Sequence, residues 1–229
     1  MAKTKIEWAD EVWNPVWGCY ENCPYCYARK FARRFGKTDR QKNFMIEWMP
    51  RNFERKFSAS TKRVFVNSMS DIYHWPIDYM NKIVAKIRLY PDIQFIFLTK
   101  NHQFSSKAYW HYNYPSNCIL GYTDDCRLYK PVFTNPELRS NWSFVREHLY
   151  LLNLEPILGP ARHNPIFYDW IILGAETGNQ KNKTIPQWEW ISCLVKTAMI
   201  AGIPVFMKPS LRPYVPEGMF LQQFPEVVK

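Results

Sequence analysis

The sequence predicts an α/β fold in which parallel strands form a partial TIM-like barrel, (β/α)6-7, of roughly six or seven βα units. Short apolar, β-rich runs alternate along the chain with helical patterns, which is typical of βαβ units and a parallel sheet. Most of these runs are continuously apolar, as strands covered on both faces are. Polar residues follow nearly every run, at the strand ends where barrels of this type carry their chemistry.

Seven apolar runs are predicted as strands. They are Val12–Gly18, Val64–Asn67, Phe95–Thr99, Ile119–Tyr122, Leu149–Leu154, Trp170–Gly174 and Val205–Lys208. The polar residues at or after their ends are Asn67–Asp71, Thr99, Lys100, Thr123, Asp124, Glu155, Glu176 and Lys208. Because the carboxyl ends of parallel strands lie at one edge of a sheet, we expect these side chains to share a site.

Four segments between the runs have helical patterns: Tyr25–Phe35, Ile77–Leu89, Pro136–Leu149 and Pro186–Ala201. In the second segment, Met80, Val84 and Ile87 recur at helical spacing. The last two segments begin with proline, whose missing N–H costs least in the first turn of a helix. Gly202 is predicted to end the last helix.

The 229 residues contain no internal repeat and no low-complexity linker, so we expect one domain over residues 1–229 with a basic insertion at about 36–63. No run approaches the ~18 consecutive apolar residues of a membrane helix. The N-terminus has no apolar signal region. These features predict a cytoplasmic protein with no membrane partner.

The net charge of +10 is concentrated in residues 28–63, which hold twelve Lys or Arg and three acids. Aromatic residues are interleaved with these charges: Phe31, Phe35, Phe44, Trp48, Phe53 and Phe57. Basic side chains bind phosphates and exposed aromatics stack on bases, so the segment favours a nucleic acid or nucleotide partner, single-stranded or deformed. The alternative is a helix with Phe31 and Phe35 on its core face, followed by a solvated basic loop.

Three cysteines, Cys19, Cys23 and Cys26, have the spacing C-x3-C-x2-C. Thiolates are soft ligands that select zinc, copper(I) or iron–sulfur clusters. A structural zinc site uses four protein ligands, yet no fourth ligand follows at finger spacing and the next histidine is His74. Three thiolates on a cluster would leave one iron open to a small molecule. Zinc with a distant fourth ligand, or no metal, are the alternatives.

The other three cysteines, Cys118, Cys126 and Cys193, are scattered along the chain. Six cysteines in a chain of this length do not make a disulfide framework. We therefore expect these three to be small buried apolar residues.

The cysteine spacing, with the aromatic Tyr25 directly before the third cysteine, resembles the signature of the radical SAM superfamily. The resemblance implies that Cys19, Cys23 and Cys26 bind three irons of a [4Fe–4S] cluster. It implies that S-adenosylmethionine (SAM) chelates the fourth iron, with its adenine near Tyr25. A donor such as flavodoxin or ferredoxin would then reduce the cluster, and cleavage of SAM would give a 5′-deoxyadenosyl radical that abstracts hydrogen from a substrate.

A second resemblance is carried by blocks from one end of the chain to the other. They are Thr4–Trp8, Trp13–Val16, Val64–Asp71, Phe97–Lys100, Leu154–Pro160 and Gly174–Gly178. Together they resemble an uncharacterised family of phage and prophage proteins, which implies a phage or bacterial-host origin and modification or repair of a DNA base. That family usually has a longer first gap between its cysteines and an acidic, Asn-containing block where this chain has Leu120–Asp125.

In the superfamily, the end of the second strand contacts the SAM amino group. Asn67, Ser68, Ser70 and Asp71 are expected there, because an amine needs carbonyl, hydroxyl and carboxylate acceptors. The alternative for Ser70 and Asp71 is capping of the helix that follows.

The later strand ends are expected to complete the SAM site through Thr99, Thr123, Glu155 and Glu176. The two glutamates are assigned to the SAM ribose or to substrate, with structural salt bridges as the alternative and Lys208 as a possible partner. Lys100 is assigned to the SAM carboxylate or a substrate phosphate, or else to the solvated surface. The substrate candidates are Arg33, Arg34, Lys100 and Lys208.

Three functions follow from these patterns. The favoured one is a radical SAM enzyme acting on a nucleobase or nucleotide. The second is a radical SAM enzyme acting on a peptide or small metabolite. The third is a non-catalytic nucleic-acid-binding protein stabilised by zinc.

Overall fold

Short runs of β-branched and aromatic residues form nine strands within the part of the chain that the structure describes. They are β1 (Glu11–Trp13), β2 (Val16–Trp17), β3 (Glu47–Trp48), β4 (Arg63–Val66), β5 (Gln94–Thr99), β6 (Cys118–Asp124), β7 (Leu149–Leu154), β8 (Trp170–Leu173) and β9 (Val205–Met207). The structure is a computed structural model, and it describes residue 4 and residues 6–101, 114–127, 148–178 and 182–226.

Seven of these strands form one sheet in the order β1-β4-β5-β6-β7-β8-β9. The pairs β1–β4, β4–β5, β7–β8 and β8–β9 are parallel. In the first pair Val12 lies opposite Phe65, and in the third Leu152 lies opposite Ile171. This mixed α/β architecture is compatible with the predicted partial TIM-like fold.

The first predicted strand, Val12–Gly18, is wrong as a single element. Asn14 and Pro15 interrupt it, and proline has no N–H to give to a ladder. Its first part is β1, which pairs with β4, and its second part is β2, which forms a separate antiparallel pair with β3. The other six predicted strands are confirmed within two residues at each end.

Five α-helices lie in the described residues: α1 (Tyr27–Phe35), α2 (Asp39–Lys42), α3 (Pro50–Phe53), α4 (Ile77–Ile87) and α5 (Glu189–Ile200). The helix α5 begins three residues later than predicted, so Pro186 precedes its first turn. Gly202, with a φ of +69°, follows its end as expected. The predicted helix over 136–149 falls almost entirely outside the described residues, and Leu149 belongs to β7.

The chain packs as two compact units, Met1–Ile119 and Leu120–Lys229. In the N-terminal unit, Trp13 is fully buried and its ring lies 5.4 Å from that of Phe57 and 6.1 Å from that of Phe95. The C-terminal unit has its own apolar core, formed by Leu152, Leu154, Ile171, Leu173, Leu194, Val195 and Val205. Each core therefore forms where strands and helices of one unit meet.

The basic segment is only partly a solvated surface. The buried face of α1 consists of Ala28 and Ala32, whereas Phe31 and Phe35 are about half exposed, so the alternative that placed these two phenylalanines on a core face is wrong. Phe44 and Phe57 are buried and unavailable for stacking.

The second half of the basic segment is tied into the sheet. Arg55 donates to the carbonyl of Val12 at 2.7 Å and forms an ion pair with Glu11. Within the described residues, no helix combines the length and apolarity needed to cross a membrane.

Candidate metal centre

The loop that carries the cysteine triad begins at Gly18, directly after β2. Gly18 has a φ of +94°, and a β-carbon on it would lie 2.1 Å from the carbonyl oxygen of Met45. Its N–H donates to the carbonyl of Met69 at 3.0 Å, and it bridges to Ser70 beyond the end of β4. The start of the loop is thus held between two backbone segments at a position that only glycine fits.

The three thiols are free and half-buried within this loop. The Cys19 N–H donates to the carbonyl of Phe44 at 3.1 Å, and the Cys26 N–H donates to the carbonyl of Cys23 at 3.1 Å. These bonds fix the loop locally and present the three sulfurs from one short stretch of backbone.

Two of the sulfurs accept backbone hydrogen bonds. Cys26 caps α1, and its Sγ accepts from the N–H of Arg29 at 3.3 Å. The Sγ of Cys19 accepts from the N–H of Glu21 at 3.4 Å. Such donors, together with the positive end of the nine-residue helix α1, stabilise negative charge on sulfur.

The electrostatic environment of the free thiols is mixed. Burial raises the pKa of Cys19, and the nearby Asp71 carboxylate raises it further. Burial also raises the pKa of Cys23, where the positive charge of Lys100 acts in the opposite direction. Binding of a metal group would therefore displace protons from these thiols and make its affinity dependent on pH.

The donor set is characterised by its chemistry. Among the described residues, no group of three or more His, Cys, Asp or Glu side chains is arranged so that it could hold a metal ion. Thiolates are the soft ligands that select zinc, copper(I) or iron–sulfur clusters. The three cysteines of this loop, two of which accept N–H donors at sulfur, are the residues that could hold such a group.

Residues after β5 and in the Ile72–His74 turn surround the loop. Lys100 places its Nζ 5.4 Å from the centre of the Tyr25 ring. Glu21 accepts a hydrogen bond from Asn101 at 2.9 Å and contacts Nε2 of His74 at 3.0 Å. The structure thus brings together the predicted residues Tyr25 and Lys100, and adds Glu21, His74 and Asn101, which the sequence patterns do not indicate.

Asp71 is buried and holds the ends of β4 and β5 together. Its carboxylate accepts from the hydroxyl of Thr99 at 2.6 Å, the N–H of Lys100 at 2.8 Å and the N–H of Tyr73 at 3.0 Å. Burial raises the pKa of Asp71 despite these three bonds. The last bond caps the Ile72–His74 turn, as the alternative reading of Asp71 expected, and three of about four lone-pair sites are filled.

The other polar residues after β4 also have partners. The Asn67 side chain donates to the carbonyl of Leu98 at 2.6 Å and accepts from its N–H at 3.3 Å. Ser68 exchanges hydrogen bonds with the Asn14 side chain, and its carbonyl accepts from the hydroxyl of Tyr27 at 2.7 Å. Asn67 therefore joins β4 to β5, and its contact with SAM stays a prediction.

Ser70 differs from Asn67 in the number of hydrogen-bonding positions that its side chain keeps for a ligand. Its hydroxyl accepts from the indole N–H of Trp75 at 3.1 Å. A serine hydroxyl has one donor and two acceptor positions, so both Ser68 and Ser70 keep capacity for a ligand.

Glu155 and Lys208 form an ion pair at the strand ends of the C-terminal unit. Gly174 lies beside the pair, and a β-carbon on it would lie 3.0 Å from Cδ of Lys208. This geometry agrees with the salt-bridge alternative for Glu155 and with Lys208 as its partner. Glu176 accepts from the N–H of Thr184 at 3.0 Å.

Thr123 and Asp124 at the end of β6 also have partners within the C-terminal unit. The Thr123 hydroxyl accepts from the side-chain amide of Asn153 at 3.2 Å. Asp124 contacts Nε2 of His163 at 2.8 Å, and Nδ1 of the same ring lies 3.3 Å from the Tyr168 hydroxyl. No spacing in the sequence indicates His163, which lies 39 residues after Asp124.

The remaining predicted residues lie on surfaces or in the core. Arg33 and Arg34 are exposed on α1, and the Arg34 guanidinium lies 5.0 Å from the Phe35 ring centre. Cys118 and Cys126 are buried as expected. Cys193 is exposed on α5, so its predicted burial is wrong.

One family model matches residues 3–212, which is most of the chain, and it is described as a protein of unknown function (DUF5131). No match to the chain was found among curated proteins or among solved structures.

Proposed function

The chain belongs to the DUF5131 family, whose function is unknown, and we propose that it is a radical SAM enzyme with a [4Fe–4S] cluster on Cys19, Cys23 and Cys26. The observation that supports this most is a single loop with three free thiols, placed directly before α1 and beside the ends of β4 and β5. Three protein thiolates leave one iron available for a small molecule, which is the arrangement that SAM chemistry needs.

When bound, the cluster and SAM together supply a radical able to abstract hydrogen from a substrate. The chain's own task is to hold the sulfurs and to exclude competing ligands. Gly18 fixes the entry of the loop, and the N–H groups of Glu21 and Arg29 donate to the sulfurs of Cys19 and Cys26. Hydrogen bonds to ligand sulfurs are a principal means by which a protein tunes a cluster's potential.

Tyr25 and Lys100 are the best-placed residues for SAM itself. Lys100 lies against the Tyr25 ring, and its positive charge partly opposes the burial that raises the pKa of Cys23. A cation there suits the SAM carboxylate, and an aromatic ring suits adenine stacking.

Ser68 and Ser70 retain hydrogen-bonding capacity and are proposed at the SAM amino group. Asp71 is proposed to position the loop through Thr99 and Lys100, because most of its capacity is already used. Contacts of SAM with Thr123, Glu155 and Glu176 stay predictions.

The test is anaerobic purification and cluster reconstitution, followed by measurement of iron, sulfide and 5′-deoxyadenosine. We expect iron and sulfide in the ratio of a [4Fe–4S] cluster, a characteristic electron paramagnetic resonance signal after reduction, and conversion of SAM to 5′-deoxyadenosine and methionine. Flavodoxin, ferredoxin or a chemical reductant would supply the electron. Protein that contains stoichiometric zinc and neither iron nor sulfide would refute the proposal.

The substrate proposal is a nucleobase or nucleotide, with a peptide or small metabolite as the alternative. Its support is the positive charge of residues 28–63. Incubation with deuterated nucleotides or oligonucleotides should transfer deuterium into 5′-deoxyadenosine. Transfer from a peptide or metabolite, with none from any nucleic-acid substrate, would favour the alternative.

A further inference from the structure

The outer face of α1 combines exposed aromatic rings with exposed positive charge. Tyr27, Phe31 and Phe35 recur at intervals of four residues and are 60%, 47% and 53% exposed. Residues four apart lie on one face of a helix, about 6 Å apart along its axis. Ala28 and Ala32 are buried along the neighbouring edge of the helix, whereas the three rings keep about half or more of their surface exposed.

The positive charge flanks this aromatic face. Lys30, Arg33 and Arg34 are exposed, and no ion pair involves them within the described residues. The helix contains no acid, and Lys30 and Arg34 are like charges four residues apart, which destabilises an isolated helix. Arg29, in contrast, turns inward and donates to the Cys19 carbonyl at 3.0 Å.

The rings and cations already contact one another. Phe31 and Phe35 have ring centres 4.7 Å apart, and the Arg34 guanidinium lies over Phe35. Trp17 extends the group at 6.3 Å from Phe31. Aromatic platforms with adjacent cations are the surfaces that bind single-stranded nucleic acid, because bases stack on the rings while the cations contact phosphates.

From this face we infer a binding surface for single-stranded nucleic acid, formed by Tyr27, Phe31 and Phe35 with Lys30, Arg33 and Arg34. A duplex hides the faces of its bases and cannot use the rings. An acidic protein would use the charge but has less need of three exposed aromatics. Because α1 begins directly after Cys26, a strand along this face starts beside the cysteine loop. That the bound strand is also the substrate rests on the proposed function; the binding itself does not.

The test is fluorescence anisotropy with a labelled oligo-dT of about 20 nucleotides, a duplex of equal length and heparin as competitor, over a range of salt. Wild-type protein should prefer the single strand to the duplex. Phe31→Ala/Phe35→Ala should weaken single-strand binding at least about tenfold and remove the preference over duplex. Arg33→Ala/Arg34→Ala should lower the slope of log affinity against log salt by about 1.4, since each phosphate contact contributes ~0.7.

Lys196→Ala/Ile200→Ala is the matched control, because it removes an exposed cation and an exposed apolar side chain from α5. Circular dichroism and thermal unfolding would check that every variant folds. The control should bind like wild type. If the phenylalanine variant binds normally, or if duplex and heparin bind as well as the single strand, the surface is a general polyanion site and the inference is wrong.

Cys23→Ala separates this inference from the proposed function. It should lose iron and still bind the single strand. An iron-containing wild type that cleaves SAM but does not bind the oligonucleotide would overturn the inference alone. A zinc-containing or metal-free wild type that binds it as described would overturn the proposed function alone.

Discussion

Polar residues at strand ends serve different purposes in the two compact units. In the N-terminal unit, Asp71 and Asn67 use their hydrogen bonds to join β4 to β5, beside a loop that presents three free thiols. In the C-terminal unit, Glu155 pairs with Lys208, and Asp124 contacts His163. In the first unit these residues lie beside the candidate metal centre, whereas in the second they form ion pairs and hydrogen bonds with one another.

This difference shows why a polar residue after an apolar strand is weak evidence for a ligand site. A buried carboxylate must find partners, and the nearest ones are side chains at neighbouring strand ends. The thiols of the triad are different, because two of them accept backbone hydrogen bonds and none forms a disulfide within the described part of the chain. The cysteine loop is therefore a better candidate for a cofactor site than the strand ends of the C-terminal unit.

Replacement of Cys23 is expected to have the largest effect, because it removes a ligand from the candidate metal centre of the N-terminal unit. Cys23→Ala removes one of three iron ligands, so we expect loss of bound iron and of 5′-deoxyadenosine formation to background. Iron and sulfide assays and chromatography of SAM products measure both. Cys193→Ala removes an exposed cysteine on α5 and should retain both properties. Normal 5′-deoxyadenosine formation by Cys23→Ala would contradict the ligand assignment.

Replacement of Gly18 tests how rigidly the loop is held. Gly18→Ala places a methyl group 2.1 Å from the Met45 carbonyl oxygen at a positive φ, so we expect a loss of about 4 kcal/mol in the free energy of unfolding. Denaturant titration measures this loss. Gly202→Ala is the control, since it also has a positive φ but no neighbour within 4 Å, and it should cost only about 1 kcal/mol. Equal costs would show that the contact with Met45 is unimportant.

Replacement of Asp71 tests the buried support beneath the loop. Asp71→Asn puts an amide among hydrogen-bond donors, and we expect a loss of about 2 kcal/mol in the free energy of unfolding at pH 5. Asp92→Asn, which removes an exposed carboxylate, should change it little.

The pH dependence follows from the raised pKa of Asp71, whose ordinary value is 3.8. A raised pKa means that the carboxyl's contribution to stability is fully present below the unfolded value and is lost as pH rises through the folded one. The difference in free energy of unfolding between wild type and Asp71→Asn should therefore narrow from pH 4 upward, and denaturant titrations at several pH values measure it. If this difference widens over the same range, the pKa of Asp71 is lowered in the folded protein.

The positions of the strands could be predicted from the sequence better than the roles of the polar residues at their ends. Six apolar runs became strands because burial on both faces leaves a continuous apolar pattern. The prediction of Val12–Gly18 as one strand is wrong because Asn14 and Pro15 divide this run into two strands.

The triad and Tyr25 were visible as local spacing, whereas the contacts of Glu21 with His74 and Asn101 join residues 53 and 80 positions apart. The alternative that placed Phe31 and Phe35 on a core face is wrong because helical spacing does not state which face is buried, and two small alanines occupy that face. Long-range pairing and the choice between two helix faces depend on tertiary packing, which single-sequence patterns do not contain.

Replacement of the Glu155–Lys208 pair is expected to cause the smallest loss of stability. It also tests directly whether strand-end charges of the C-terminal unit serve only to pair with one another. Both side chains keep some contact with solvent, so Lys208→Met should lower the free energy of unfolding by only about 1–2 kcal/mol. The double variant Lys208→Met/Glu155→Leu should recover part of this loss, because it no longer leaves a carboxylate unpaired.

Iron content should be unchanged in both variants, since neither residue belongs to the cysteine loop. Glu155→Gln alone distinguishes the two roles considered for the glutamate. A structural role predicts lower stability with an unchanged KM for SAM. A raised KM for SAM at unchanged stability would assign Glu155 to the cofactor, and the contrast between the two units would then be wrong at this residue.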